Sequence, residues 1–225
     1  MNRWELVESI TTPDDAGVMD LMRCGDELAI HVDGQQLMST KEHGSEDALA
    51  DLACDIIGSR PQGRVLVGGL GMGFTTAAAL RRLGPEGTVV VAELVPAVLR
   101  WNQGPLAFAA GHPLDDPRAS VELQDVANLI AEPPQPWDAI LLDVDNGPDA
   151  ISHPGNGWLY DWAGLGAAFS ALTPGGVLGV WSAWPDPSFT RRMKRAGFRV
   201  KIHQVRSRGA KGGRQHVVWM GVRAR

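Results

Sequence analysis

The stretch from Arg64 to Thr76, RVLVGGLGMGFTT, limits what this chain can fold into more than any other segment. Val65, Leu66 and Val67 form an apolar run that ends at Gly68, and an Ala/Leu/Arg-rich segment, AAALRRL, follows the glycines directly. The pattern predicts a strand, a glycine loop and a helix. Gly69, Gly71 and Gly73 permit a tight turn and let a ligand come close to the main chain. The helix opening at Phe74 to Thr76 points unpaired N–H groups at that loop, which suits a nucleotide-like cofactor.

Glycine loops at strand ends serve several cofactors, so the flanking residues decide among them. The dinucleotide fingerprint ends in Gly or Ala where this chain has Phe74, and a phosphate-binding P-loop needs a lysine that the loop lacks. What remains is GxGxG with an acid at the end of a second apolar strand, TVVVAEL, where Glu93 stands. A carboxylate there is placed to accept both hydroxyls of a ribose. Together the loop and Glu93 point to an adenosyl cofactor of the S-adenosylmethionine type.

A length of 225 residues allows one full α/β core with a small appendage. Cys24 and Cys54 form no CxxC or Cys/His arrangement, so neither a disulfide framework nor a zinc site is expected, and no metal site is assigned. The N-terminal residues carry charges within every apolar run, and no stretch approaches the roughly 18 apolar residues of a membrane span, so a cytoplasmic protein with no membrane partner is expected. Charge is uneven: 9 basic and 26 acidic residues lie at or before Asp186, against 12 basic and no acidic residues after it. The tail RSRGAKGGR can touch phosphates, but a solvated hairpin facing acidic surface on this or a second subunit is the commoner use, so nucleic acid is the less favoured partner and a homodimer a candidate.

Upstream of the loop, residues 18 to 39 hold two short alternating runs broken at Cys24-Gly25-Asp26 and Asp33-Gly34, which predicts a small β-meander. A helix follows, with Ser45 as its expected cap and Leu49, Leu52, Ala53, Ile56 and Ile57 at helical spacing. Meander and helix can cover the mouth of the cofactor domain. Downstream, SVELQD offers a short strand ending at Asp125, which can accept the adenine amino group, cap the helix VANLIAE, or do both.

In WDAILLDVDNGPDA an apolar strand runs to Asp143, and Asp145, Asn146 and Asp149 follow in a turn. The carboxyl end of a central parallel strand is where an α/β sheet presents its chemistry. Asp143 there can orient or deprotonate an amine, or hold a cationic substrate by charge. A helix with Trp158 and Trp162, then a strand ending at Trp181 and Trp184, offers aromatic walls suited to an apolar or cationic group. A basic helix and two strands joined by a glycine-rich loop complete the chain.

With these residues in view, the chain resembles the spermidine synthase-like branch of the class I S-adenosylmethionine-dependent transferases. The resemblance rests on Val32-Asp33-Gly34 before a helix, Gly68-Gly69, Glu93, Asp116-Pro117-Arg118 before a strand, Asp125, and WDAILLDVDNGP. It implies that Glu93 binds ribose, Asp125 binds adenine, and Asp143, with Asp145 beside it, is the catalytic or amine-binding acid; Gly69, Gly71 and Gly73 would cradle the cofactor, with Asp143 also touching it. The chain departs from that family in two places. The family's GGGDGG is GGLGMG here, without the Asp, and its Tyr-His-Glu segment is replaced by the neighbourhood of His43, Ser45 and Glu46.

The expected architecture is therefore an α/β, doubly wound class I methyltransferase-type (Rossmann-like) sheet with a closing antiparallel hairpin, filling residues 45–225, after a β-meander in residues 1–44. The expected activity is transfer of a group from S-adenosylmethionine or decarboxylated S-adenosylmethionine to a small acceptor, an amine among the candidates. Methyl transfer to a small molecule or nucleic acid, and adenosyl binding without catalysis, are the alternatives.

Overall fold

The computed structural model describes residues 3–12, 17–144, 148 and 156–224. Two sheets organise them. The first is antiparallel, in the order β1 (Glu5–Thr11), β2 (Val18–Cys24), β3 (Glu27–Val32) and β4 (Gln35–Ser39). The expected meander is thus larger by one strand. ELVESIT was not recognised because β1 is a half-exposed edge strand whose charged residues obscure the period of two.

The second sheet has seven strands in the order β10-β11-β9-β8-β5-β6-β7. They are β5 (Arg64–Gly68), β6 (Thr88–Ala92), β7 (Ala119–Glu122), β8 (Trp137–Leu142), β9 (Leu172–Ser182), β10 (Arg199–Arg206) and β11 (Gln215–Val222). Strands β5 to β9 pair in parallel, while β11 lies antiparallel between β9 and β10. This is the doubly wound class I methyltransferase-type sheet with a closing hairpin.

Helices cover both faces of this sheet. In chain order they are α1 (Gly44–Ile57), α2 (Phe74–Arg82), α3 (Pro96–Gln103), α4 (Val126–Ala131), α5 (Gly157–Tyr160), α6 (Trp162–Ala171) and α7 (Pro187–Arg195). Successive strand residues point to opposite faces. Val65, Val67, Ala139 and Leu141 accordingly join one apolar core with α1, α2 and the meander residues Leu21, Leu28 and Ile30. Leu66, Ile140 and Leu142 join the other, with residues of α4, α6 and α7. Burial on both faces explains why VLV and AILL are continuous apolar runs rather than alternating ones.

The two sheets are tied by more than apolar contact. Glu8 of β1 accepts from Arg100 at 2.8 Å and from the indole N–H of Trp101 at 2.7 Å, both residues of α3. Among the described residues no helix is long and apolar enough to cross a membrane.

Candidate active site

The chain leaves β5 toward β6 and β7 and then returns to the other side as β8, so β5 and β8 flank the point where the winding reverses and a crevice opens at their carboxyl ends. The glycine loop and Asp143 meet there. Gly69, Gly71 and Gly73 take φ of 84°, 52° and 83°, a region closed to most side chains, which lets the loop turn tightly after β5. Gly73 is also the residue from which α2 starts.

Glu93 follows β6 and is 7% exposed. Its Oε2 accepts the main-chain N–H of Leu70 at 2.9 Å and its Oε1 that of Val95 at 2.8 Å. The acid therefore braces the glycine loop from behind, with the main-chain N–H groups of Leu94 and Gly71 acting on it as well. Burial pushes its pKa up, opposed by the surrounding main-chain N–H groups of Val95 and Leu70. Asp125 is the N-cap of α4, its Oδ1 accepting from Ala127 N–H at 2.8 Å. The capping expectation is met there, with Oδ2 outside that bond.

A cavity of about 830 Å³ opens beside the loop. Leu70, Gly71 and Met72 form one wall, and residues of β3, β4 and their turn, Val32 to Ser39 in part, form another, so the meander does lie over the mouth. Glu93, Asp125, Gly69 and Gly73 are not on the cavity wall; they lie behind or beside it. Asp143 is on it, with Oδ2 accepting from the hydroxyl of Thr75 at 3.1 Å. Asp145, Asn146 and Asp149 lie outside the described residues.

Of the tryptophans, Trp181 and Trp184 line the cavity, whereas Trp158 and Trp162 do not. Trp162 belongs to α6 and points outward, 62% exposed. The helix holding it is not continuous with Trp158: α5 ends at Tyr160, and Asp161 caps α6 by accepting from Gly164 N–H at 2.9 Å.

Two polar residues on this wall, Glu46 and His216, were not assigned roles from sequence, and a third behind it, Ser45, was given another. Ser45 is not the cap of α1; that position is His43, which makes no side-chain cap bond. Gly44 approaches the loop after β10 so closely that its N–H donates to Ser207 O at 2.7 Å, and the helix cap lies two residues earlier than expected. Ser45, 0% exposed, instead donates to Glu46 Oε2 at 2.6 Å and pairs with His216 Nδ1 at 3.0 Å. Glu46 and His216 are both on the cavity wall. The ring of His216 meets Trp181 edge-on at 4.8 Å.

Glu46 and Asp143 form an acid pair. Burial raises the pKa of both, and the nearby Asp143 charge raises that of Glu46 further. A negative charge on one carboxyl disfavours ionisation of the other, and a cation entering the cavity relieves that conflict. His43 pairs with Asp47 at 2.7 Å and stacks on Phe74 at 4.1 Å, and Arg208 pairs with Glu42 at 3.1 Å, while Arg214 is on the cavity wall near His216.

No family model and no curated protein matches the sequence. Solved structures do match. A spermidine synthase from Thermotoga maritima superposes with a TM-score of 0.73 at 16% identity, over 97% of this chain and 72% of that one. A spermidine synthase in complex with the transition state analogue AdoDATO superposes with a TM-score of 0.77 at 18% identity, over 97% of this chain and 74% of that one. The fold is thus spermidine synthase-like, the N-terminal sheet included. At these identities the likeness speaks for the fold alone.

Proposed function

We propose that this chain is a transferase that moves an alkyl group from an S-adenosylmethionine-type sulfonium to a small amine. The observation that carries this is the pair Asp143 and Glu46 in one cavity whose wall is also the glycine loop. An acid pair with Trp181 and Trp184 lining the same cavity is a site for a cation.

The residues fit an adenosyl cofactor. Gly71 offers main chain to the cavity at a positive φ that needs no side chain, Glu93 puts a carboxylate at the base of the loop for a ribose diol, and Asp125 Oδ2, outside the capping bond, is the acceptor for an adenine amino group. Bound there, the cofactor would supply an electrophilic carbon attached to a sulfur that leaves readily.

The protein's own part is then mostly placement. Asp143, held by Thr75, orients the amine by charge, and Asp145 is proposed with it from sequence alone. Glu46 can take the ammonium proton, leaving a neutral nucleophile. Trp181 and Trp184 exclude water and favour a cation over an anion.

Methyl transfer stands as the second reading because the segment Gly68–Gly73 holds no carboxylate, where the family it resembles has an Asp that helps hold the aminopropyl amine. Incubation with S-adenosylmethionine and with decarboxylated S-adenosylmethionine over a panel of di- and polyamines separates the two. Methylthioadenosine marks aminopropyl transfer and S-adenosylhomocysteine marks methyl transfer. Cofactor binding without either product across the panel would leave an adenosyl-binding protein without transfer chemistry.

A further inference from the structure

Glu46, Ser45 and His216 form an unbroken line of hydrogen bonds in the cavity wall, joining the start of α1 to β11 across 171 residues of sequence. Ser45 is fully buried, so its hydroxyl has no solvent to trade with. A hydroxyl donates and accepts at once, and the line therefore has two states that differ by one proton moved at each bond. In one, protonated Glu46 donates to Ser45 Oγ and Ser45 donates to His216 Nδ1. In the other, Ser45 donates to the Glu46 carboxylate and the His216 Nδ1–H donates to Ser45.

We propose that Ser45 and His216 carry to the outer part of the cavity the proton that Glu46 takes from the acceptor, an inference that rests on the transferase function proposed above. The steps balance. The ammonium passes a proton to the Glu46 carboxylate, leaving a neutral amine and a carboxylic acid. That acid gives its proton to Ser45 Oγ as the Ser45 proton moves to His216 Nδ1, which restores the carboxylate and makes an imidazolium. The imidazolium releases its Nε2 proton to water, leaving the Nδ1–H tautomer; the ring resets when the Ser45 contact opens, water returning a proton to Nε2 and taking the one on Nδ1. Ser45 and His216 act through Glu46 and are positioning residues.

The surroundings suit a carrier rather than a sink. Glu46 faces Asp143 after β8 and His43 before α1. His216 faces Arg214 just before β11 and Glu42 just before α1, and Glu42 is already paired with Arg208. Burial, with Arg214 adding to it, lowers the His216 pKa, so the ring rests neutral and parts readily with an extra proton. His216 is half-buried on the cavity wall, which gives the proton an exit.

The test is a nitrogen-15 titration of histidine-labelled protein without cofactor or acceptor, so it reads the line of bonds separately from transfer. In the parent, Nδ1 of neutral His216 should change from pyridine-type to pyrrole-type shift as Glu46 ionises. Ser45→Ala should abolish the change, Ser45→Thr should keep it, and Glu46→Gln should hold one tautomer at every pH. A parent Nδ1 that keeps one shift type throughout, or a change that survives in Ser45→Ala, overturns the relay. Should Ser45→Ala not fold, Glu46→Gln decides alone: a tautomer change persisting there also overturns it. In turnover, Ser45→Ala should lower kcat by about 10²-fold, the scale of a proton-transfer step, with KM held and recovery in Ser45→Thr; an unchanged kcat contradicts the relay, while failure of cofactor binding in the parent contradicts the transferase function and leaves the tautomer result standing.

Discussion

Gly69 packs against Asp143 so tightly that a Cβ on Gly69 would stand 2.8 Å from the Asp143 carbonyl oxygen. The neighbouring main chain is joined as well, Asp143 N–H donating to Gly68 O at 3.1 Å. The glycine loop after β5 and the acid after β8 are therefore one unit. Any change that moves the loop moves the acid.

Gly69→Ala should be costly for two separate reasons, a backbone φ of 84° and the clash with Asp143. A loss of about 1–3 kcal/mol in unfolding free energy is expected, together with weaker cofactor binding. Denaturant unfolding and calorimetry check both. Gly34→Ala is the control, since its φ is also positive, 77°, but its Cβ would meet nothing within 4 Å; it should lose some stability and no cofactor affinity.

Glu46 gives a pH dependence of defined sign. Its pKa rises from an ordinary 4.5 to about 8 in the folded chain, through burial first and Asp143 second. A carboxyl that holds its proton more tightly when folded contributes stability fully below its unfolded pKa and loses it as pH rises through the folded value. Glu46→Gln removes that loss. The Tm difference, variant minus parent, should therefore grow from about pH 4.5 to about pH 8; a difference that shrinks or stays flat across that window contradicts the buried acid.

Trp184 and Trp162 are matched in exposure, each 62%, but only Trp184 lines the cavity. Trp184→Ala should weaken a cationic acceptor by about 0.5–2 kcal/mol, the worth of a cation–π contact, with little change in stability. Trp162→Ala should leave acceptor binding unchanged. Competition between polyamines in a fluorescence titration measures both.

What could be read from the sequence was local. The loop, its flanking strand and helix, and Glu93 lie within one βαβ unit, where the Gly68 to Ala92 register leaves Glu93 just past the strand end. Asp143 was legible because β8 is buried throughout and its apolar run from Ala139 to Leu142 stops at it. The rest of the wall is assembled from distant parts. His216 reaches Ser45 only because β11 inserts between β9 and β10 and lies beside α1, and no spacing within either segment encodes that. Ser45 looked like a cap because serine before an apolar helical run usually is one, and the contact of Gly44 with Ser207 displaced it.

The central claim is that an adenosyl cofactor lies on the glycine loop with Glu93 holding its ribose, and calorimetry tests it without knowledge of the acceptor. The parent should bind S-adenosylmethionine and methylthioadenosine. Glu93→Ala should lose about 2–4 kcal/mol for both, from two charge-assisted hydrogen bonds and the loosened loop, while Asp143→Asn should change methylthioadenosine affinity little. Equal binding of both ligands by Glu93→Ala and the parent, or no binding by a folded parent, contradicts the account.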